Sequence, residues 1–341
     1  MTLEVFQMNC IDCGVPSLVE THGSLLVVKE TDNGGVTARI PHSEYTYHSI
    51  DELTIFIEAL VAAETDHSSE RFFVKTADMP SYEELHNFHE MLANQDLIRI
   101  MRDGSFQTFF QPIIDLQANE NVIFAYECLL RPMKDGKLLP PYPLFEFARN
   151  ANLHNYLDQK ARESSIISSS RKLRDDVKVF INFLPSSIYN PEFCLHHTFQ
   201  IVEKYNVSAE SLVFEVVESE KIQDLDHLQN IFRTYKNSGM QVALDDVGAG
   251  YSTLEVLEAL QPDYVKIDRD YVSFCDEVED KQLFLQNVMA ISRKLGVKVL
   301  AEGIERKEEL EFCRELGIHY AQGYYIGKPS EEPLKEEELT I

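Results

Sequence analysis

Seven apolar runs in the later part of the chain close on side chains that can do chemistry. A polar group inside an apolar segment is costly to bury unless a partner meets it. Singly, each such carboxylate has an ordinary explanation in an ion pair with a lysine at a strand end, but the repetition of the pattern indicates a shared site. The side chains at or near these ends are Glu127, Asn182, Glu215, Asp245, Asp246, Lys266, Glu302 and Gln322.

The carboxylates of this set predict a metal site. Two like charges about 4 Å apart cost roughly 4 kcal/mol at an effective dielectric constant near 20, so a cluster of them calls for cations. Oxygen donors without His or Cys favour Mg²⁺ or Mn²⁺ over Zn²⁺. Because the neighbouring Asp245 and Asp246 can each bind a different ion, a two-metal site suited to displacement at phosphorus is expected. Lys266 would orient or deprotonate a water.

The segments between these runs predict the fold. From residue 109 onward, short apolar runs alternate with longer amphipathic stretches, which indicates βα units around a parallel sheet. The length suits a (β/α)8 barrel, and a doubly wound open sheet is the alternative. In a barrel the carboxyl ends of the strands converge on one face, where active sites lie, so the polar strand ends favour the barrel.

Residues 1–76 predict a small mixed α/β module with a regulatory or dimerising role, whose clearest helix, DELTIFIEALVAA, starts at Asp51. Residues 77–103 predict one connector helix that begins in a capping box formed by Ser81 and Glu84. The barrel domain would then occupy residues 104–341.

A C-x-x-C pair lies near the amino terminus, at Cys10 and Cys13. Its spacing is compatible with half a zinc site or a redox pair. A second such pair is missing from the sequence, so ordinary buried thiols are the favoured interpretation.

The composition excludes several classes of protein. With 57 acidic and 31 basic residues and a net charge of −26, binding of a nucleic-acid polymer through a basic face is not expected. No run approaches the roughly 18 apolar residues of a membrane span, and the start lacks the pattern of a signal peptide. The six cysteines do not look like a disulfide framework. We therefore expect a soluble, cytoplasmic protein without membrane insertion.

Eight blocks of the sequence, in order, resemble those of the EAL domain, the cyclic di-GMP phosphodiesterase of bacterial signalling. The resemblance covers the chain from about Gln111 to Pro329 and implies a (β/α)8-type barrel that hydrolyses cyclic di-GMP to linear pGpG with Mg²⁺ or Mn²⁺, as a homodimer. The blocks are FQPIIDL, YECLLRP, VFINFLP, FEVVESE, ALDDVGAGYSTL, PDYVKIDRDYV, AEGIE and AQGYYIGKP.

The resemblance also implies roles for individual residues. Lys266 resembles the lysine that positions the attacking water, and Glu218 the glutamate that holds the loop after Asp246, to which Gly248 and Gly250 give mobility. The metal ligands implied are Glu127, Asn182, Glu215 and Asp245, with Asp246 for the second ion and Glu302 as a further carboxylate. The residues implied near the dinucleotide, its base or the water are Gln111, Leu129, Arg131, Glu305 and Gln322.

The departures from the family pattern remove neither a ligand nor the lysine. Cys128 replaces an alanine, and Val217, Val247 and Ala249 stand where threonine, phenylalanine and threonine are usual. No GGDEF-like segment occurs, so synthesis of cyclic di-GMP is not expected. Two other functions stay open: a receptor that binds cyclic di-GMP without cleaving it, and an enolase-like enzyme, which would lack the usual capping domain.

Overall fold

The computed structural model describes residues 18–32, 37–66, 71–216, 224–248, 254–339 and 341. The chain forms two compact units, one of residues 1–105 with 132–157 and the other of residues 106–131 with 158–341. Among the described residues, no helix has both the length and the apolar character to cross a membrane.

The first unit contains an antiparallel sheet with strand order β2-β1-β3-β4. One face of the sheet is buried: Leu25, Val27 and Val74 form an apolar core with Leu53 and Ile57 of the first helix. The elements up to residue 103 are β1 (Gly23–Asp32), β2 (Thr37–Tyr47), α1 (Ile50–Asp66), β3 (Arg71–Thr76), β4 (Glu83–Glu84), α2 (Leu85–Ala93) and α3 (Gln95–Asp103).

The prediction for the amino-terminal helix is confirmed, because α1 begins one residue before Asp51. The prediction of a single connector helix is wrong: α2 and α3 are separate helices that meet at Asn94. The predicted capping box is also absent, because Glu84 has extended backbone and pairs with Phe73 of β3. Sheet pairing therefore extends to Glu84 and delays the helix to Leu85.

The second unit contains a closed barrel, with strand order β5-β13-β12-β11-β10-β9-β8-β6 and a β5–β6 pairing that closes it. The expected (β/α)8-type barrel is confirmed. The first strand departs from regular parallel pairing, since β5 runs antiparallel to β13. The strands from residue 106 onward are β5 (Phe106–Asp115), β6 (Ile123–Lys134), β7 (Lys137–Leu138), β8 (Lys178–Phe183), β9 (Leu212–Val216), β10 (Gln241–Val247), β11 (Tyr264–Ile267), β12 (Lys298–Ala301) and β13 (Tyr320–Ala321).

Helices cover the outer face of the barrel strands, as the amphipathic stretches of the sequence predict. Their apolar sides pack on outward-facing residues such as Val179 and Ile181 of β8 and form an extensive apolar core with them. Helix α4 (Pro141–Asn150) belongs to the first unit, and the later helices are α5 (His154–Lys172), α6 (Pro191–Cys194), α7 (His196–Lys204), α8 (Leu225–Asn237), α9 (Leu254–Leu260), α10 (Arg269–Val272), α11 (Glu279–Leu295) and α12 (Lys307–Leu316).

The inside of the barrel is filled by a second apolar cluster, to which successive strands each contribute one side chain. We call this cluster the barrel floor. Since side chains alternate between the two sides of a strand, residues two positions further along each strand also face the interior. The floor consists of Ile113, Ala125, Phe180, Val213, Ala243, Tyr264 and Leu300, with Phe124 and Tyr320 packed against it.

Gly323 lies two residues after the end of β13, where its backbone comes close to the loop that follows β12. A Cβ atom at this position would lie 2.1 Å from the backbone oxygen of Ile304, so Gly323→Ala forces the two backbones apart. We expect the free energy of unfolding to fall by about 3 kcal/mol or more. At Gly296, φ is +74° but a Cβ would meet nothing within 4 Å, so Gly296→Ala should cost only about 1 kcal/mol. Urea unfolding followed by circular dichroism compares them, and equal losses would contradict the close contact.

Candidate active site

The polar side chains of the site form a tier directly beyond the barrel floor. On each strand, the polar residue follows a floor residue by two positions, on the strand or immediately after it; on the antiparallel β5, Gln111 precedes Ile113 by two. The pairs of floor and tier residues are Ala125 and Glu127, Phe180 and Asn182, Val213 and Glu215, Ala243 and Asp245, Tyr264 and Lys266, Leu300 and Glu302, and Tyr320 and Gln322.

The expectation that these residues lie at strand ends is wrong for Glu127. Strand β6 continues beyond Glu127 to Lys134, so this glutamate lies within the strand. What brings the polar residues together is the two-residue alternation inside a closed barrel, rather than the convergence of strand ends alone.

Lys266 lies at the centre of the tier, surrounded by carboxylates. Its Nζ atom is 2.7 Å from Oε1 of Glu302, 2.8 Å from Oε2 of Glu215 and 3.1 Å from Oδ1 of Asp245. Oε1 of Glu127 lies at 3.9 Å. The side chains of Lys266 and Glu215 are 1% and 0% exposed. One buried ammonium therefore faces four carboxylates at ion-pair distance.

The ionisation of these groups follows from burial and mutual charge. Burial lowers the pKa of Lys266, but attraction to Asp245, Glu127, Glu215 and Glu302 outweighs it and raises this pKa well above the ordinary value. For Glu215, Asp245 and Glu302, burial raises the pKa and the nearby lysine only partly offsets it. One ammonium therefore offsets the negative charge of the four carboxylates only in part.

Glu127 is the best-satisfied carboxylate of the tier. Nδ2 of Asn182 donates to its Oε1 at 3.0 Å, and Nε2 of Gln322 donates to its Oε2 at 2.7 Å. Burial raises the pKa of Glu127, but attraction to Lys266 and the two amide hydrogen bonds outweigh it, so the pKa lies below its ordinary value. Two amides and a lysine therefore explain how an ionised glutamate persists inside an apolar strand.

The donors of the tier fit a hard divalent cation. Asp245, Asp246 and Glu302 each offer a carboxylate oxygen, and these oxygens lie within 4.8 Å of one another. Oε1 of the fully buried Glu215 has no hydrogen-bond partner among the described residues. Since the donors are carboxylate and amide oxygens, they suit Mg²⁺ or Mn²⁺.

Backbone strain accompanies the two adjacent aspartates. Asp246 has a φ of +52°, in the left-handed region that non-glycine residues rarely adopt. Its backbone N–H donates to Oδ1 of Asp245 at 3.0 Å. Strain of this kind costs of order 1 kcal/mol or more and is typical of functional sites.

Three of the residues expected to bind the dinucleotide, Gln111, Leu129 and Arg131, lie on strands β5 and β6. Leu129 and Arg131 follow Glu127 at intervals of two along β6, so they share its side of the strand. The guanidinium of Arg131 lies 5.4 Å from the ring centroid of Phe109, a cation–π distance. Gln111 is buried in the tier.

Glu305 lies apart from the buried tier. It is substantially exposed, and its Oε1 forms an ion pair with Nη2 of Arg269 at 2.9 Å. Among the residues named from the sequence, Cys10, Cys13, Val217, Glu218, Ala249 and Gly250 lie outside the described part of the chain.

A buried ion pair on helix α5, outside the barrel, was not predicted from the sequence. Asp158 and Arg162 form an ion pair on α5, and each side chain is only 4% exposed. An acid four residues before an arginine on a predicted helix was an available signal. Such pairs usually lie on the surface and contribute little to stability. The spacing alone therefore did not indicate that this pair is buried.

The variant Lys266→Met tests the dependence of the tier on its lysine. Removing one partner of a buried ion pair leaves uncompensated charge and typically costs 3–5 kcal/mol, so we expect about that loss in chelator. Lys298→Met removes the same charge from an exposed position on β12 and should change stability by less than about 0.5 kcal/mol. Denaturant unfolding in EDTA measures both, and similar losses would mean that the carboxylates do not need this ammonium.

Known proteins resemble this chain in sequence and in fold. Probable cyclic di-GMP phosphodiesterase PdeG of Escherichia coli K12 is 31% identical over 242 residues, which are 68% of this chain and 46% of PdeG. This chain therefore spans less than half the length of that relative. The standalone versatile EAL protein of Vibrio cholerae O395, solved in its c-di-GMP-bound form, is 32% identical with a TM-score of 0.60, covering 67% of this chain and 94% of that one.

A further solved structure contains both a metal and a nucleotide. BlrP1 of Klebsiella pneumoniae, solved as a manganese/cy-diGMP complex, is 26% identical with a TM-score of 0.59, covering 66% of this chain and 56% of that one. The model of the EAL domain family matches residues 94–329. The chain belongs to the EAL domain family.

Proposed function

We propose that this member of the EAL domain family hydrolyses cyclic di-GMP to linear 5'-pGpG with Mg²⁺ or Mn²⁺. The observation that carries the proposal is the tier itself, in which a complete set of oxygen donors surrounds one buried lysine inside the barrel. PdeG is named as a probable cyclic di-GMP phosphodiesterase and the two solved structures contain bound c-di-GMP, which supports the same substrate.

The tier would hold two divalent ions. When bound, such ions supply positive charge that stabilises the phosphate oxygens and favours ionisation of a water. The adjacent position of Asp245 and Asp246, whose oxygens converge with that of Glu302, supports separate ligands for two ions. The ligands in the proposal are Glu127, Asn182, Glu215, Asp245, Asp246 and Glu302.

Lys266 would act on the attacking water as a hydrogen-bond donor rather than as a base. Its Nζ atom lies within 3.1 Å of three carboxylate oxygens, and an ammonium has protons to donate but no lone pair to accept one from water. In the reaction, the water loses a proton and its oxygen bonds to phosphorus, while the bond from phosphorus to the 3'-oxygen breaks and that oxygen takes up a proton. The product has one free 5'-phosphate and one freed 3'-hydroxyl.

The substrate would lie over the tier, held by residues of β5 and β6. Gln111 can hydrogen-bond through its amide, and Leu129 offers apolar contact. Arg131 presents a guanidinium whose planar donors match a phosphate group. Gln322 and Glu305 would lie near the water and the base, and Glu218 would hold the loop after Asp246.

The assembly and location are proposed on sequence grounds alone. A homodimer follows from the family resemblance, and a cytoplasmic location from the cysteine usage. Light scattering after size-exclusion chromatography gives the mass of the assembly directly.

Incubation of the purified protein with cyclic di-GMP and Mn²⁺ or Mg²⁺ should yield pGpG, and EDTA should abolish this turnover. Chromatography of the products against authentic pGpG is the measurement, with heat-denatured protein as the control. If calorimetry detects binding of cyclic di-GMP but no product forms with either metal, the protein is a receptor and not a hydrolase.

Two substitutions should separate metal binding from chemistry. Glu127→Gln replaces an anionic donor and should weaken Mn²⁺ binding at least tenfold, with a parallel loss of activity at low Mn²⁺. Lys266→Met removes a cation from the tier, so Mn²⁺ should bind at least as tightly as in the parent while kcat falls 100-fold or more. Calorimetric Mn²⁺ titration beside steady-state rates tests both, and a Lys266→Met protein with parental kcat would remove the lysine from the mechanism.

A further inference from the structure

A buried polar cluster holds the turn that follows strand β8. We call this cluster the β8 anchor and define it as the side chains of Asp158 and Ser187 with the backbone N–H of Leu184. Both side chains are about 4% exposed. Asp158 lies on α5, outside the barrel, whereas Leu184 and Ser187 lie on the turn by which the chain leaves β8. The anchor therefore links a helix to the end of a barrel strand.

Both carboxylate oxygens of Asp158 accept hydrogen bonds from the turn. Oδ1 accepts a hydrogen bond from the backbone N–H of Leu184 at 2.9 Å, and Oδ2 accepts one from Oγ of Ser187 at 2.6 Å. Nη1 of Arg162 also donates to Oδ2. Arg162 in turn donates through Nε to Oγ1 of Thr198 on α7, at 3.4 Å. The charge of Asp158 is thus balanced from the helix side while its oxygens bind the turn.

The anchor lies next to a ligand in the proposed metal site. Strand β8 ends at Phe183, so the first backbone N–H beyond the strand belongs to Leu184, two residues after Asn182. Nδ2 of Asn182 donates a hydrogen bond to Oε1 of Glu127 at 3.0 Å. The other polar atom of the amide, Oδ1, is thereby left to act as the metal ligand. A shift of the turn would move the end of the strand that carries this amide.

The polar character of the anchor points to a role in geometry. Replacing a buried ion pair by apolar residues of similar volume is often neutral or stabilising, so an ion pair at this place needs another explanation than stability. Directional hydrogen bonds to Leu184 and Ser187 specify where the turn lies, which apolar contacts do less sharply. Loss of a group that is hydrogen-bonded directly to a metal ligand typically costs 10–100-fold in metal affinity, and Asp158 acts one step further away, through the backbone, so the lower end of this range is expected.

We propose that Asp158 is a positioning residue for the divalent-cation site, which it serves by fixing the turn after β8 so that the amide of Asn182 keeps its orientation. This inference rests on the metal site of the proposed function. It assigns no contact between Asp158 and metal or substrate. Its effect reaches the site through the backbone of Leu184 and the strand that precedes it.

Asp158→Asn is the direct test. Asparagine keeps one oxygen for Leu184, but its amide nitrogen cannot accept from Ser187 and meets the guanidinium of Arg162 donor to donor, so the side chain cannot keep its present position. We expect about a tenfold weaker affinity for Mn²⁺, measured by calorimetric titration without nucleotide. Most of the kcat should return at saturating Mn²⁺, because the residues that meet the substrate are unchanged. Ser187→Ala removes the hydroxyl that meets both Asp158 and the carbonyl oxygen of Leu184, and it should weaken Mn²⁺ binding severalfold.

Thr198→Val is the matched control. It removes a buried hydroxyl from the same network, but that hydroxyl meets Arg162 rather than the turn. Mn²⁺ affinity should stay at the parental value even if the melting temperature falls. Hydrogen exchange at the Leu184 amide should accelerate in Asp158→Asn, because a neutral amide oxygen is a weaker acceptor than the carboxylate, and should stay slow in the control. If Asp158→Asn does not fold, Ser187→Ala and the control still decide between the two outcomes.

Each outcome bears on the inference. Parental Mn²⁺ affinity in Ser187→Ala and Asp158→Asn, or an equal loss in Thr198→Val, would make the cluster a support of the fold alone and overturn the positioning role. A parent protein that binds Mn²⁺ with the expected dependence on Asp158, yet forms no pGpG, would refute the proposed hydrolysis and leave the positioning role intact. A parent that binds no Mn²⁺ would overturn both.

Discussion

The ion-pair cluster around Lys266 is the interaction on which the site depends. Desolvating one charge in a protein interior costs several kcal/mol, and here one ammonium and four carboxylates are enclosed together. Such an arrangement persists only when the surrounding structure holds every partner within a few ångströms. The closed barrel provides this constraint, because its strands cannot move apart without breaking the hydrogen bonds that close it.

The barrel meets this demand by stacking a polar tier on an apolar floor. The floor is composed of side chains such as Phe180 and Val213, which fill the interior and stabilise the barrel through apolar burial. The tier begins two residues later on each strand, so a single periodicity supplies both stability and chemistry. Because β5 runs in the opposite direction, Gln111 reaches the tier by preceding its floor residue. The site is therefore made largely of strand residues, which are held more rigidly than loops.

Two features of the tier lower the stability of the fold and are typical of functional sites. Glu215 is fully buried with one oxygen that has no hydrogen-bond partner among the described residues, and Asp246 has a left-handed backbone. Neither feature improves the fold. Both are explained if the site is organised to receive cations, which restore the missing charge and ligands. The anchor at Asp158 extends the same organisation to the outside of β8, where directional bonds fix the turn beyond Asn182.

The sequence by itself determined the fold class and most of the polar side chains that the barrel brings together around Lys266. Residue types and two-residue alternation are local properties, and eight ordered blocks carried the family resemblance. Helix α1 was predictable for the same reason, since its apolar spacing lies within one segment. Where local signals competed with sheet pairing, prediction failed, as at Glu84, whose pairing with Phe73 replaced the expected capping box.

Only the tertiary structure decided how the site residues meet. Glu127 is satisfied by amides that are 55 and 195 residues away in the chain, at Asn182 and Gln322, and no local pattern specifies which donor reaches which oxygen. Strand register and closure of the barrel set those distances, and they also made Lys266 the counterion of four carboxylates. The burial of Asp158 was hidden in the same way, because its i,i+4 pairing with Arg162 looks identical on an exposed helix face and beneath a turn. Sequence specifies which side of a strand or helix a residue occupies, and the closed fold specifies what lies opposite.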